Sequence, residues 1–220
     1  MLMTNLRQMA HRNTNVVAAA LLATSVVVSL PAAEPKAWEV KIRAAYLKTA
    51  DDSDAFTALD IDFAEGAVSV EDKWIPELDV TYAFTKNWVA ELVLTIPQKH
   101  DVYLAGVGKL GSLEHLPPTL SLLYEIPTES GFTPYFSGGV NFTWITNKRL
   151  SVAGIPLDLE DYSAGIALGT GIRYDFGSKW DFDASVKWID LESDVLAGGA
   201  KLTSAQLDPL LWSIGASYRF

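Results

Sequence analysis

The chain of 220 residues has a formal net charge of −10, with 17 Lys and Arg against 27 Asp and Glu, and it contains no cysteine. The lack of cysteine excludes disulfides and thiolate sites, and an acidic chain without a basic stripe is a poor nucleic-acid binder. The length suits one domain with a single core or barrel.

The N-terminal segment differs from the rest of the chain. It contains Arg7 and Arg12 but no acidic residue, and an apolar run from Val16 to Leu30 follows. That run is interrupted by polar residues and is shorter than the roughly 20 residues of a membrane-spanning helix, which argues against an anchor. The pattern predicts a secretory signal peptide over residues 1–33 and a mature domain over residues 34–220.

Eight segments of the mature chain alternate apolar and polar side chains with the period of two that is typical of β-strands. The predicted strands are Trp38–Lys48, Trp74–Phe84, Trp88–Pro97, His115–Ile126, Pro134–Thr146, Asp161–Asp175, Trp180–Asp190 and the final stretch Leu207–Phe220. An aromatic strand at the chain end would be an aggregation-prone edge, so it is predicted to pair with the first strand and close a barrel. No second long apolar run exists, so strands would make any membrane crossing.

Alternation alone fits a soluble barrel as well as a membrane barrel, but other features favour the membrane. Short and long connections alternate, as periplasmic turns and extracellular loops do. Aromatic residues eight positions apart, such as Trp180 and Trp188, would lie about 20 Å apart in height on tilted strands, close to an apolar band of about 25 Å. Small residues crowd the polar face, as a narrow lumen requires. The predicted fold is an all-β, eight-stranded antiparallel transmembrane β-barrel with short periplasmic turns and long extracellular loops.

The inward-facing side chains divide by height. A charged floor is predicted in the periplasmic half, from Glu39, Arg43, Glu91, Arg173, Asp183 and Arg219. An apolar cup is predicted in the outer half, from Leu47, Ile75, Val93, Ile189 and Leu211. Because side chains fill an eight-stranded interior, the charges should pair across it and block straight passage, either to stabilise the barrel or to route a solute.

Acidic residues and two histidines are the candidates for metal binding or catalysis in the mature chain. The acids between Asp51 and Asp72 lack the spacing of a calcium loop, so a solvated acidic loop is predicted there. His100 and His115 flank the second long loop without a recognised ligand spacing, which predicts polar histidines at a barrel rim and not a metal site. No convergent His, Ser and acid set is evident, so no catalytic site and no cofactor are predicted.

Several longer motifs resemble one family. They are P-E-L-D-V-T-Y-A-F-T from Pro76, H-L-P-P-T-L from His115, P-Y-x-x-G-G-V-N-F-T from Pro134 and the L-D-P…Y-R-F ending. Over nearly the whole mature chain they resemble the OmpW family of outer-membrane proteins. That resemblance implies a location in the outer membrane of a Gram-negative bacterium and a narrow, largely apolar channel for small hydrophobic compounds. The alkane-uptake barrels are members of the family.

The resemblance makes passive uptake of small hydrophobic molecules the first functional hypothesis. A structural or adhesive barrel without transport is the alternative, and an outer-membrane enzyme is a third class. The expected partners are small hydrophobic solutes, outer-membrane lipids and the barrel assembly machinery, which reads a C-terminal aromatic strand; no nucleic acid is expected.

Four prolines in the outer half of three consecutive predicted strands suggest how a solute could leave the barrel. They are Pro76, Pro97, Pro117 and Pro118. Each removes one backbone donor, so a complete hydrogen-bond ladder cannot form at that height. The prediction is a weak wall through which an apolar solute exits sideways into lipid; the alternative is that the prolines only end strands or tune curvature.

Overall fold

The computed structural model describes residues 37–50, 52–58 and 60–220, and the predicted signal peptide lies outside these residues. Within this part of the chain, no helix is long and apolar enough to cross a bilayer. The strands are β1 (Ala37–Lys48), β2 (Asp52–Ser53), β3 (Phe56–Ala58), β4 (Ile61–Phe63), β5 (Val68–Val70), β6 (Lys73–Ala83), β7 (Trp88–Leu94), β8 (Gln98–Leu104), β9 (Gly108–Leu116), β10 (Thr119–Glu125), β11 (Phe132–Val152), β12 (Ile155–Leu159), β13 (Tyr162–Asp175), β14 (Trp180–Ile189), β15 (Glu192–Ala197), β16 (Ala200–Gln206) and β17 (Leu210–Arg219).

Eight of these strands close into an antiparallel barrel in the order β1, β6, β7, β10, β11, β13, β14, β17. The last strand pairs with the first, from Glu39 opposite Arg219 to Lys48 opposite Leu210. The backbone N–H of Phe220 extends this seam by donating to the Trp38 carbonyl at 3.1 Å. The predicted closure is confirmed, and the seam pairs β1 with β17 along its length.

The two faces of the barrel wall have opposite polarity. Lys41 and Asp183 are buried in the interior, whereas Ile42 on the outer face is 65% exposed. Aromatic pairs mark two heights on the outer face, with ring centroids 4.8 Å apart for Trp38 and Tyr82 and 5.3 Å apart for Tyr46 and Trp74. An apolar exterior between aromatic girdles is matched by lipid and would aggregate in water.

The long connections differ from the irregular loops expected from the sequence, because most of them form strand hairpins that continue the wall outward. β8 pairs with β9, β15 pairs with β16, and β11 runs unbroken from the membrane region into this extension. The stretch predicted as an acidic loop contains β2 to β5. Its Val68 and Val70 point inward and alternate with Ser69, which gives β5 a buried face.

Two predicted strands are shorter than expected, and both are interrupted near prolines. β7 stops at Leu94, and Pro97 separates it from β8. The predicted strand from His115 is divided by Pro117 and Pro118, so that His115 belongs to β9 and the barrel strand β10 begins at Thr119. The physical reason is that proline cannot donate to a ladder.

Candidate functional site: the layered barrel interior

The centre of the barrel is crossed by an ion-pair network built around Arg43. Its Nη1 lies 3.0 Å from Asp183 Oδ1, and its Nη2 lies 2.7 Å from Glu77 Oε1 and 2.6 Å from Asp79 Oδ2. All four side chains are buried. One guanidinium therefore joins three carboxylates from two walls of the barrel, as a planar fork of donors can.

Two lysines complete this central network. Lys41 Nζ lies 3.0 Å from Glu91 Oε2 and 3.3 Å from Asp183 Oδ2, and Lys187 Nζ lies 3.1 Å from Glu91 Oε1. The hydroxyl of Tyr135 donates to Asp183 Oδ2 at 3.1 Å. Charges from opposite walls thus meet directly, and a molecule moving straight through the barrel would have to separate them.

A second ion-pair network, which is more exposed to solvent, lies at the periplasmic mouth. Arg173 Nη2 lies 2.7 Å from Glu125 Oε2, and its Nη1 lies 3.5 Å from Glu39 Oε2. Arg219 Nη2 lies 2.6 Å from Asp181 Oδ2 and is partly exposed. The six residues of the predicted charged floor therefore fall in two layers, with Arg43, Glu91 and Asp183 in the centre and Glu39, Arg173 and Arg219 at the mouth.

Four of the five residues of the predicted cup belong to a filled apolar layer above the central network. The order of inward residues along β1 sets the height, since Lys41 and Arg43 are followed by Ala45 and Leu47. The layer consists of Ala45, Leu47, Ile75, Ala167, Ile189, Leu191 and Leu211, with Leu207 packed against it. Val93 is buried but lies outside this cluster, opposite Asp79 and Thr119 in the β-ladders. We call this layer the apolar plug.

Above the plug, the extracellular strands enclose a narrow apolar cavity of about 50 Å³, within about 800 Å³ of space between side chains that includes the part open to solvent. Its wall includes Val102, Leu113, Ile145, Leu157 and Val195, which come from β8, β9, β11, β12 and β15. Leu191 and Leu207 belong to both the cavity wall and the plug, so the two are continuous. An enclosed space of about 50 Å³ is smaller than ordinary small-molecule sites of roughly 300–1,000 Å³, so a solute has to displace some of these apolar side chains to bind.

The wall beside the plug has an incomplete ladder, which we call the lateral gap. Pairing of β6 with β7 stops at Leu78 opposite Leu94, and in the described part of the chain no ladder pair joins residues 73–77 to β7 or β8. The gap is bridged instead by a hydrogen bond of 2.7 Å from Thr95 Oγ1 to the Pro76 carbonyl. Pro76 and Pro97 are exposed at this edge.

The other two prolines lie on a side of the wall that is closed. The amide Nδ2 of the fully buried Asn141 donates to the carbonyls of Pro117 and Pro118, each at 3.3 Å. The backbone N–H of Phe142 also donates to the Pro118 carbonyl, at 3.0 Å. Of the four prolines, Pro76 and Pro97 therefore lie beside the unpaired backbone of the lateral gap between β6 and β7. Pro117 and Pro118 lie where the wall is hydrogen-bonded.

The two histidines lie in the extracellular extension and are not at an exposed rim, so that prediction was wrong. His100 and His115 are 1% and 7% exposed, with ring centroids 4.6 Å apart. Burial, with the adjacent His100 and Lys73, lowers the pKa of His115 to about 3, and burial also lowers the pKa of His100. Both rings are therefore neutral at physiological pH. No group of three or more His, Asp or Glu among the described residues could hold a metal ion.

The cavity was not predicted from the sequence, because the segments that form its walls were predicted to be loops. The available signal was the short alternation in β8, where His100, Val102 and Leu104 are buried and Lys99 and Tyr103 are not. Sequence reasoning also left Glu77, Asp79 and Tyr135 out of the floor.

A closed eight-stranded barrel with an apolar, girdled exterior and a polar, ion-paired interior is an outer-membrane β-barrel. The OmpW family model matches residues 37–220, and the chain belongs to the OmpW family. It is similar to outer-membrane protein y4mB of Sinorhizobium fredii, with 33% identity over 189 residues that cover 83% of this chain and 80% of the relative. The protein resides in the outer membrane of a Gram-negative bacterium.

Two further comparisons bear on fold and chemistry. The crystal structure of the outer membrane protein OprG from Pseudomonas aeruginosa superposes with a TM-score of 0.75 at 25% identity, covering 87% of this chain and 99% of OprG. A relative from Pseudomonas aeruginosa, named dibenzothiophene metabolism operon protein PahQ, is 27% identical over 161 residues, covering 70% of this chain and 75% of the relative.

Proposed function

We propose that this barrel mediates passive uptake of small hydrophobic molecules, which bind in the extracellular cavity and leave sideways through the lateral gap into the membrane. The observation that carries the proposal is the combination of an apolar cavity with a closed polar floor and an interrupted wall. A PahQ relative named for dibenzothiophene metabolism fits this solute class, because dibenzothiophene is an apolar aromatic molecule.

The energetics favour the sideways route. A solute moving straight down would have to displace the plug and then open the central ion pairs, and breaking a buried pair costs about 3–5 kcal/mol. An apolar molecule offers no hydrogen bonds to replace the ones it breaks. Through the lateral gap the solute moves directly from apolar side chains to hydrocarbon, so no charge is uncovered.

A disulfide across the lateral gap tests this route in a chain that has no cysteine of its own. Extending the β6 and β7 register beyond Leu78 and Leu94 places Pro76 opposite Ile96, so the pair Pro76→Cys and Ile96→Cys would lock the gap. The matched control is Val80→Cys with Leu92→Cys, a pair already joined in the same ladder. Uptake of naphthalene into proteoliposomes is measured before and after reduction.

The locked gap should slow uptake, reduction should restore it, and the control disulfide should leave uptake unchanged. Undiminished uptake by the oxidised gap variant, with the disulfide verified by mass spectrometry, would refute lateral exit. If the wild-type barrel gave no faster uptake than protein-free liposomes, the structural or adhesive alternative would be favoured. That alternative needs neither the cavity nor the gap.

A further inference from the structure

The wall of the extracellular cavity is apolar except at four side chains, namely His115, Thr143, Ser193 and Thr203. Two of them have their hydroxyl hydrogen engaged within the protein. Thr143 Oγ1 donates to Asn141 Oδ1 at 2.7 Å, and Thr203 Oγ1 donates to the Asp54 carbonyl at 2.9 Å.

The other two polar groups belong to residues of this wall and have no partner within the described part of the chain, and both atoms are buried behind the apolar surface of the cavity. His115 Nε2 and Ser193 Oγ are buried atoms with no hydrogen bond, and their residues are 7% and 2% exposed. A buried polar atom that lacks a partner destabilises the fold, so its retention in an apolar wall requires an explanation. Binding of a ligand that supplies the missing hydrogen bond is such an explanation.

The neighbouring histidine explains why this group does not serve charge or metal chemistry. His100 Nδ1 lies 2.9 Å from the Glu71 carbonyl, and because a carbonyl only accepts, His100 carries its proton on Nδ1. Its Nε2 is then an acceptor, and it is buried and unpartnered. The pKa values of both buried rings are lowered, which disfavours a bound proton, and no set of His, Asp and Glu among the described residues is suited to a divalent cation.

We propose that the cavity binds apolar molecules that carry a neutral hydroxyl group, an alcohol or a phenol, with His115 and Ser193 as its hydrogen-bonding contacts. This inference rests on the proposed function and names the solute class. A hydroxyl both donates and accepts, so it can satisfy His115 Nε2 in either tautomer, or Ser193 Oγ. A carboxylate would bring an uncompensated charge into an apolar space and is rejected.

Equilibrium binding to the folded barrel in lipid nanodiscs tests the proposal with a matched pair of probes, naphthalene and 2-naphthol. His115→Phe keeps a ring and removes the nitrogens, and Ser193→Ala removes the hydroxyl. Tyr103→Phe is the matched control, because it also deletes one polar group from an aromatic ring, but on the exposed face of the same hairpin.

Each cavity variant should weaken 2-naphthol binding by about three- to tenfold and leave naphthalene binding within about twofold, as loss of one hydrogen bond predicts. His115→Gln, which keeps a donor and an acceptor, should retain most of the affinity. Equal changes for both probes, or none in either variant, would overturn the proposal. If His115→Phe does not fold, the imidazole ¹⁵N signals of the wild type decide, since 2-naphthol and not naphthalene should shift those of His115.

The outcome also separates this inference from the proposed function. Wild-type binding of both probes that neither variant affects refutes the hydroxyl contacts and leaves hydrophobic uptake standing. Failure of the wild type to bind either probe counts against the proposed function itself.

Discussion

Arg43 and Asp183 lie 140 positions apart in the chain, and their side chains meet across the barrel interior with 3.0 Å between Nη1 and Oδ1. Each is buried, and each is shared, since Arg43 also binds Glu77 while Asp183 also binds Lys41. This contact closes the centre of the barrel. It also makes the floor a cooperative unit, in which removal of one member leaves several groups unpaired.

The first prediction concerns Arg43→Ala. The substitution leaves Glu77, Asp79 and Asp183 without their shared cation, so the free energy of unfolding should fall by about 3–5 kcal/mol. Urea titration of the barrel in lipid vesicles measures the change. Arg219→Ala at the partly exposed mouth is the control and should cost less, because water screens its pair with Asp181. A loss for Arg43→Ala no larger than that of the control would contradict the role assigned to the central network.

The second prediction is a pH dependence that originates in the extension. The pKa of His115 is lowered to about 3 in the folded barrel and is near 6.5 when unfolded. The unfolded state therefore binds the proton more tightly, and the contribution of neutral His115 is present above about pH 6.5 and is lost as pH falls towards 3. His100 acts in the same direction. The hydrogen bond from Lys109 lowers the pKa of the nearby Asp101 carboxyl, so this group stays ionised over most of this window.

Urea midpoints at about pH 7.5 and about pH 5 measure this effect, because most carboxylates are still ionised at both values. The wild type should be less stable at the lower pH, and His115→Phe should show a smaller difference. An equal pH dependence in wild type and variant would assign the effect to other groups.

The strands that the sequence predicted best are those that separate two contrasting environments, lipid and lumen. The barrel strands were identified because lipid on one side and the lumen on the other impose a long, regular alternation, as in β14 from Trp180 to Ile189. Strands of the extension are shorter and carry glycines and acids, so the alternation around Val102 and Leu104 was too brief to separate from a loop.

The partners within the interior were less predictable than its composition. Parity along each strand identifies Arg43, Glu91 and Asp183 as inward-facing, but which of them touch depends on the stagger of the closed barrel. Lys187 is an example: it lies on β14 yet binds Glu91 on β7. The stagger also explains why Val93 falls outside the apolar plug, although it was grouped with Leu47 by height along the strands.

The third prediction concerns the last residue, and with it the proposed recognition of the final strand by the assembly machinery. Deletion of Phe220 removes the 3.1 Å hydrogen bond to the Trp38 carbonyl at the closing seam and the edge-to-face ring contact with Tyr218. The amount of folded, heat-modifiable barrel in the outer membrane should fall. Phe176→Ala is the matched control, because Phe176 makes the same edge-to-face contact with Tyr174, at the same centroid distance of 5.2 Å, but lies away from the final strand. Equal yields from the deletion and the control would remove the proposed role of Phe220.

On the proposed route, an apolar solute moves from the extracellular cavity to the lateral gap without crossing the ion-paired floor. Below the central ion-pair network lies a separate inward-facing apolar cluster of Val89, Leu123 and Tyr135, which a solute travelling straight through would contact. The decisive measurement is photolabelling of the barrel in lipid vesicles with an apolar diazirine probe, followed by mass spectrometric mapping of labelled inward-facing residues. If the solute leaves sideways, labels are expected at Leu113 and Ile145 in the cavity and at Thr95 beside the gap, with none at Val89 or Leu123. Labelling of Val89 and Leu123 at a level equal to the cavity residues would contradict it.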